Sequence, residues 1–125
     1  MNKTRIEVKV EFEGIHNWPE APDEVKFLRH PHRHMFGVVL RIPVTHDDRE
    51  LEFVMVKREL ERMLELQHGT SGNTHLLGRL SCEQIAEQVV NWCHIKYDRY
   101  GIECGVFEDG ENGCWVEDDG GPTGE

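Results

Sequence analysis

The chain has 125 residues, 24 of them acidic and 14 basic, for a formal net charge of -10. That length suits one domain around one core, and the charge balance disfavours a nucleic-acid phosphate backbone or an anionic bilayer as a partner, the only modest basic cluster being Arg29 to Arg33. No apolar run follows the charged opening Met1 to Arg5 and no stretch approaches membrane-spanning length, so the sequence reads as a soluble, cytoplasmic protein with neither nucleic-acid nor membrane partners.

Ile6, Val8, Val10 and Phe12 alternate with Glu7, Lys9 and Glu11, the period of a half-buried strand, which is expected to end near Phe12. Asn17 to Lys26 contains Pro19, Pro22 and Asp23 without periodicity and reads as a loop. Phe36 to Val44 resumes strand character, a turn falls at His46 to Arg49, and Leu51 to Phe53 reads as a short third strand. Val56, Leu60, Met63 and Leu64 then share one helical stripe. Gly69 to Gly78 is rich in Gly, Ser, Thr and Asn and reads as a loop. Ser81 with Gln84 three places on is a capping-box pattern, predicting a second helix with Ile85, Val89 and Cys93 inward. Ile102 to Phe107 and Cys114 to Val116 read as a closing hairpin around Asp109 to Gly113. The expected domain spans residues 1–117, and the acidic, Gly-rich stretch 118–125 is expected to be a disordered tail.

Cys82, Cys93, Cys104 and Cys114 match neither a C-x-x-C redox pair nor a zinc ribbon, and in a reducing cytosol they are expected to be thiols. Cys93 reads as core packing. Cys104 and Cys114 are placed to face each other across the hairpin, but no disulfide is required.

Three histidines carry the chemistry. Residues two apart on a strand point to the same face, so His32 and His34 can aim their imidazoles at one point, and His16 from a neighbouring strand end completes a facial trio. Three nitrogen donors with one open position suit a catalytic zinc ion, Zn2+. The competing reading is a solvated, histidine-rich loop made by His30, His32 and His34.

Phe12-Glu13-Gly14-Ile15-His16 followed by His32-Arg33-His34-Met35-Phe36 resembles the F-x-x-x-H and H-G-H-x-aromatic motifs of the 6-pyruvoyltetrahydropterin synthase and 6-carboxytetrahydropterin synthase family. Leu51-Glu52-Phe53, Leu66-Gln67-His68, Leu80-Ser81-Cys82-Glu83 and Val106-Phe107-Glu108-Asp109 with Gly113-Cys114 are similar, in order, to its later motifs, and the likeness covers about Ile6 to Val116. The resemblance implies an α+β T-fold, a four-stranded antiparallel sheet with two helices on one face, closing into an oligomeric barrel as a trimer or hexamer with inter-subunit active sites. It implies zinc on His16, His32 and His34. It also implies a pterin anchor at Glu108, with Asp109, Cys82 and Glu83 against the substrate, and His68 in a proton relay oriented by Gln67.

The chain departs from the family pattern at four places. No cysteine precedes the histidine pair, where Lys26 to Arg29 stand; Gln67 replaces an aspartate, Arg33 a glycine and Asp109 a threonine. Cys82 at a helix start is a candidate substitute base through a lowered thiol pKa, against the simpler reading of a small packed residue. The resemblance therefore implies a lyase-like zinc protein acting on a reduced pterin or related purine-derived molecule, with chemistry altered by loss of the cysteine. The alternative it leaves open is non-catalytic binding of a purine-like or nucleotide-like ligand between subunits.

Overall fold

In the computed structural model, which describes residues 2–119, two thirteen-residue strands pair antiparallel along their whole length: β1 (Thr4–His16) and β2 (His32–Val44). Side chains alternate across a strand, so the even-numbered Val8, Val10 and Phe12 of β1 and Phe36, Val38, Leu40 and Ile42 of β2 are buried on one face. The expected end of β1 near Phe12 is too early. Gly14 and His16 find partners in His34 and His32, which carries the strand on to His16. Gly14 is needed there, because a Cβ would lie 2.6 Å from Leu77 Cδ1 and 2.9 Å from the Phe36 ring.

The full sheet has six strands in the order β3-β4-β1-β2-β5-β6, completed by β3 (Thr70–Ser71), β4 (Thr74–Gly78), β5 (Glu103–Glu108) and β6 (Asn112–Glu117). β4 runs parallel to β1 while the other pairs are antiparallel, so the sheet is mixed. It is also open, with β3 and β6 at its edges. This corrects the expected four-stranded antiparallel T-fold barrel. Gly69 to Gly78, whose composition predicts a loop, supplies both extra strands. Leu51 to Phe53, whose pattern predicts a strand, instead leads into a helix: Glu52 caps α1 (Phe53–His68) by accepting from the Val54 and Met55 amides.

Both long helices cover one face of the sheet. α1 packs Val56, Leu60 and Leu64 against β1 and β4. α2 (Cys82–Tyr97) packs Ile85, Ala86, Val89, Val90 and Cys93 against β5 and β6. Its start is the expected Ser81–Gln84 capping box, a device that contributes on the order of 1 kcal/mol. A short 3-10 segment, Asp23–Arg29, lies in the connection read as a loop, held by the Arg29 guanidinium donating to the Ala21 carbonyl and to Asp23.

The hairpin of β5 and β6 turns at Asp109 and Gly110, both with positive φ. In its register Cys104 faces Val116 and Val106 faces Cys114, and all four cysteines are free thiols. Asp118 accepts from the Gly101 and Ile102 amides. Of the stretch expected to form a tail, residues 120–125 lie outside the described residues. Among the described residues no helix is long and apolar enough to cross a membrane.

Candidate metal centre

The inward rows of β1, β2 and β5 continue past the hydrophobic core. After Phe12 the β1 row reaches Gly14 and His16. Beyond Phe36 the β2 row reaches His34 and His32, and past Val106 the β5 row reaches Glu108. His16 stands opposite His32 in the ladder, and Glu108 opposite Phe36. Strand register alone therefore gathers three imidazoles and a carboxylate at one end of the core. Ring centroids are 4.6 Å apart for His16 and His32, 5.1 Å for His32 and His34, and 5.5 Å for His16 and His34. One ligand atom from each histidine lies within 4.8 Å of the other two.

The outer nitrogens fix the tautomers. His16 Nδ1 lies 2.9 Å from the Leu80 carbonyl oxygen, His32 Nδ1 2.8 Å from that of His30, and His34 Nδ1 2.7 Å from Asp109 Oδ2. Carbonyl and carboxylate oxygens only accept, so each Nδ1 carries a hydrogen and donates it. In a neutral ring that leaves Nε2 with its lone pair free. Burial holds the His16 pKa below its ordinary value, against the opposing pull of the Leu80 carbonyl and Glu108, which favours this neutral form.

Asp109 is a two-sided clamp. One carboxylate oxygen takes the His34 hydrogen while the other accepts from the Met35 amide at 2.8 Å, and its own amide donates back to the Met35 carbonyl at 2.7 Å. The Met35 amide, then His34, hold its carboxyl below the usual range. Glu108 places Oε2 3.3 Å from His16 Nε2 and Oε1 3.5 Å from His34 Nε2. Behind it, Cys82 Sγ donates to Glu108 Oε2 at 3.8 Å. Burial, reinforced by Glu108, pushes that thiol up to about 12. A raised thiol pKa runs against Cys82 as a low-pKa substitute base and suits its place as the donor to Glu108.

The cluster opens on a cleft of about 860 Å³ whose lining includes His16, His32, Glu108, Cys82 and Glu83, with Trp18 and Leu28 as an apolar wall and Asn112 and Arg79 as polar contacts. His68 and Gln67 do not join it. His68 Nε2 donates to Gln88 Oε1 at 3.1 Å, and its Nδ1 meets His75 Nδ1 at 3.2 Å. His75 is buried and stacks on Phe12 with centroids 4.1 Å apart. Gln67 lines a different cleft with Met63 and Trp92, and the orienting amide expected from it comes instead from Gln88 on α2. His75 escaped sequence reasoning because Thr74–Gly78 lacked the length to register as a strand.

No protein-family model matches this chain, and no curated protein matches it either. Among solved structures it is similar to an uncharacterized protein from Wolinella succinogenes, with a TM-score of 0.68 and 12% identity over 94% of this chain and 99% of that one. At that identity the likeness concerns the fold alone. The expected membership of the 6-pyruvoyl/6-carboxytetrahydropterin synthase family is therefore not sustained: no family model supports it, and the sheet is open. The pterin or purine-like ligand, the lyase-like reaction and the trimeric or hexameric assembly with inter-subunit pockets all depended on that barrel and fall with it. What stands is a three-histidine cluster able to coordinate a metal ion.

Proposed function

We propose that this chain is a zinc protein whose ion is held by His16, His32 and His34 and faces a small-molecule cleft. The observation that supports this reading is the common orientation of the three rings: each donates Nδ1–H outward to an oxygen, as a metal-ligating histidine donates its other ring N–H to a carboxylate or backbone carbonyl. A surface histidine cluster has no need of three such tethers. All-imidazole donation favours zinc over magnesium or calcium, which take oxygen ligands.

When bound in such a site, zinc supplies a Lewis acid that polarises a carbonyl group or lowers the pKa of water. The chain's own residues supply the rest. Trp18 and Leu28 offer an apolar surface, Asn112 and Arg79 offer hydrogen bonds, and the Cys82 thiol holds the Glu108 carboxylate in place. This combination fits metal-assisted chemistry on a small polar molecule. Four free cysteines fit a reducing compartment such as the cytoplasm.

The test is metal content after zinc loading and desalting. The wild-type chain is expected to retain about one zinc, His16→Ala, His32→Ala and His34→Ala to retain almost none, and His30→Ala to match wild type. Equal loss in His30→Ala, or a wild-type chain that retains no zinc, would overturn the reading.

A further inference from the structure

Glu108 stands where the β5 row meets the histidine cluster, and nothing in the core requires a carboxylate there. We infer that Glu108 is a fourth, displaceable ligand of the metal, an inference that rests on the trihistidine reading above. The distances carry it. Ligands bonded at about 2.0–2.1 Å in a tetrahedral shell stand about 3.3–3.4 Å from one another. Glu108 Oε2 is 3.3 Å from His16 Nε2 and Oε1 is 3.5 Å from His34 Nε2, so each carboxylate oxygen stands at about the spacing of a neighbouring ligand to one of the three histidines.

Charge supports the same assignment. Three neutral imidazoles leave the full double charge of the ion in a partly buried site, and one carboxylate halves it. The side chain is 30% exposed on the cleft side, so it has room to move off the ion when an oxygen-bearing small molecule arrives. The Cys82 thiol, donating to Oε2, biases the resting position. Glu108 is thus a built-in cap that keeps the resting centre coordinatively closed and that a ligand of sufficient affinity displaces.

Cobalt(II) substitution tests this without any activity assay, because four-coordinate cobalt absorbs visible light more intensely than five- or six-coordinate cobalt. The wild-type chain is expected to give the intense, four-coordinate spectrum. In Glu108→Gln, where water takes the vacated position, the bands should shift, and cobalt and zinc affinity should fall at least about 10-fold, the loss typical of removing even an outer-sphere partner. Unfolding of the metal-free variant checks that the fold is kept; should Glu108→Gln fail to fold, Glu108→Asp, one methylene short of the ion, carries the same comparison. Identical spectra and affinities in variant and wild type would overturn the inference while leaving the trihistidine site intact. Failure of the wild-type chain to bind cobalt or zinc at all would instead overturn the reading beneath it.

Discussion

Two groups of histidines lie on the helix-covered side of the same sheet and are joined in opposite ways. At the end of β1 and β2, His16, His32 and His34 turn each Nδ1 outward to an oxygen, and the Nε2 atoms of His16 and His34 face Glu108. Closer to the core, His68 and His75 turn Nδ1 toward Nδ1 at 3.2 Å, His75 donating to His68, with Gln88 Oε1 accepting the single hydrogen of the neutral His68 ring at Nε2. The first arrangement leaves lone pairs available to a ligand, and the second uses them inside the protein. Burial lowers the pKa of both His68 and His75, so they hold together as a neutral pair. What a histidine cluster does is decided by the partner of the nitrogen that faces away from its centre.

The largest effect that would break this contrast is on stability. His75→Ala removes a buried ring stacked on Phe12 and leaves His68 without its partner, and should cost about 2–4 kcal/mol in denaturant unfolding of the metal-free protein. His32→Ala, at a partly exposed site, should cost well under half of that. Equal losses would mean the two groups are structural alike.

Asp109→Asn sharpens the other side. Asparagine tolerates the positive φ of this position and can still accept one hydrogen bond, but it loses the charge that aligns His34. Zinc affinity, measured by chelator competition, should fall about 10-fold, with little change in metal-free stability. An unchanged affinity would remove Asp109 from the site.

The smallest effect is on pH dependence. Because the folded pKa values of His16, His68 and His75 are lowered below the ordinary 6.5, the unfolded chain takes up protons first as pH falls through that value. Stability should therefore be undiminished by these groups above 6.5 and decline below it. In His68→Gln the decline in Tm toward acid pH should be shallower; a slope equal to wild type would show that the pair does not titrate with unfolding.

The long strands, both helices and the β5–β6 hairpin were legible because their periodic patterns repeat over enough residues to stand out. β4 was not: five residues among glycines resemble a loop until β1 offers its free edge. The convergence of His32 and His34 follows from spacing on any strand, and His16 is expected beside them from its place just past the first strand; the β1–β2 register is what brings the three together. The tethers from Leu80 and His30 are backbone carbonyls and have no side-chain signature at all. His68 drew attention through a short motif, yet its partners come from β4 and α2, a tertiary fact no local pattern encodes. The same weakness undid the family likeness, since brief motifs in order do not specify how strands are joined.

The uninterrupted even-numbered rows have an evolutionary consequence. Because Val8, Val10, Phe12 and His16 share one parity, as do Ile42, Leu40, Val38, Phe36, His34 and His32, a single inserted or deleted residue between core and cluster would turn imidazoles and apolar side chains to opposite faces. The centre and the core are thus locked to one register, and a change of length is tolerated in the connections, such as residues 45–49, where it leaves both untouched.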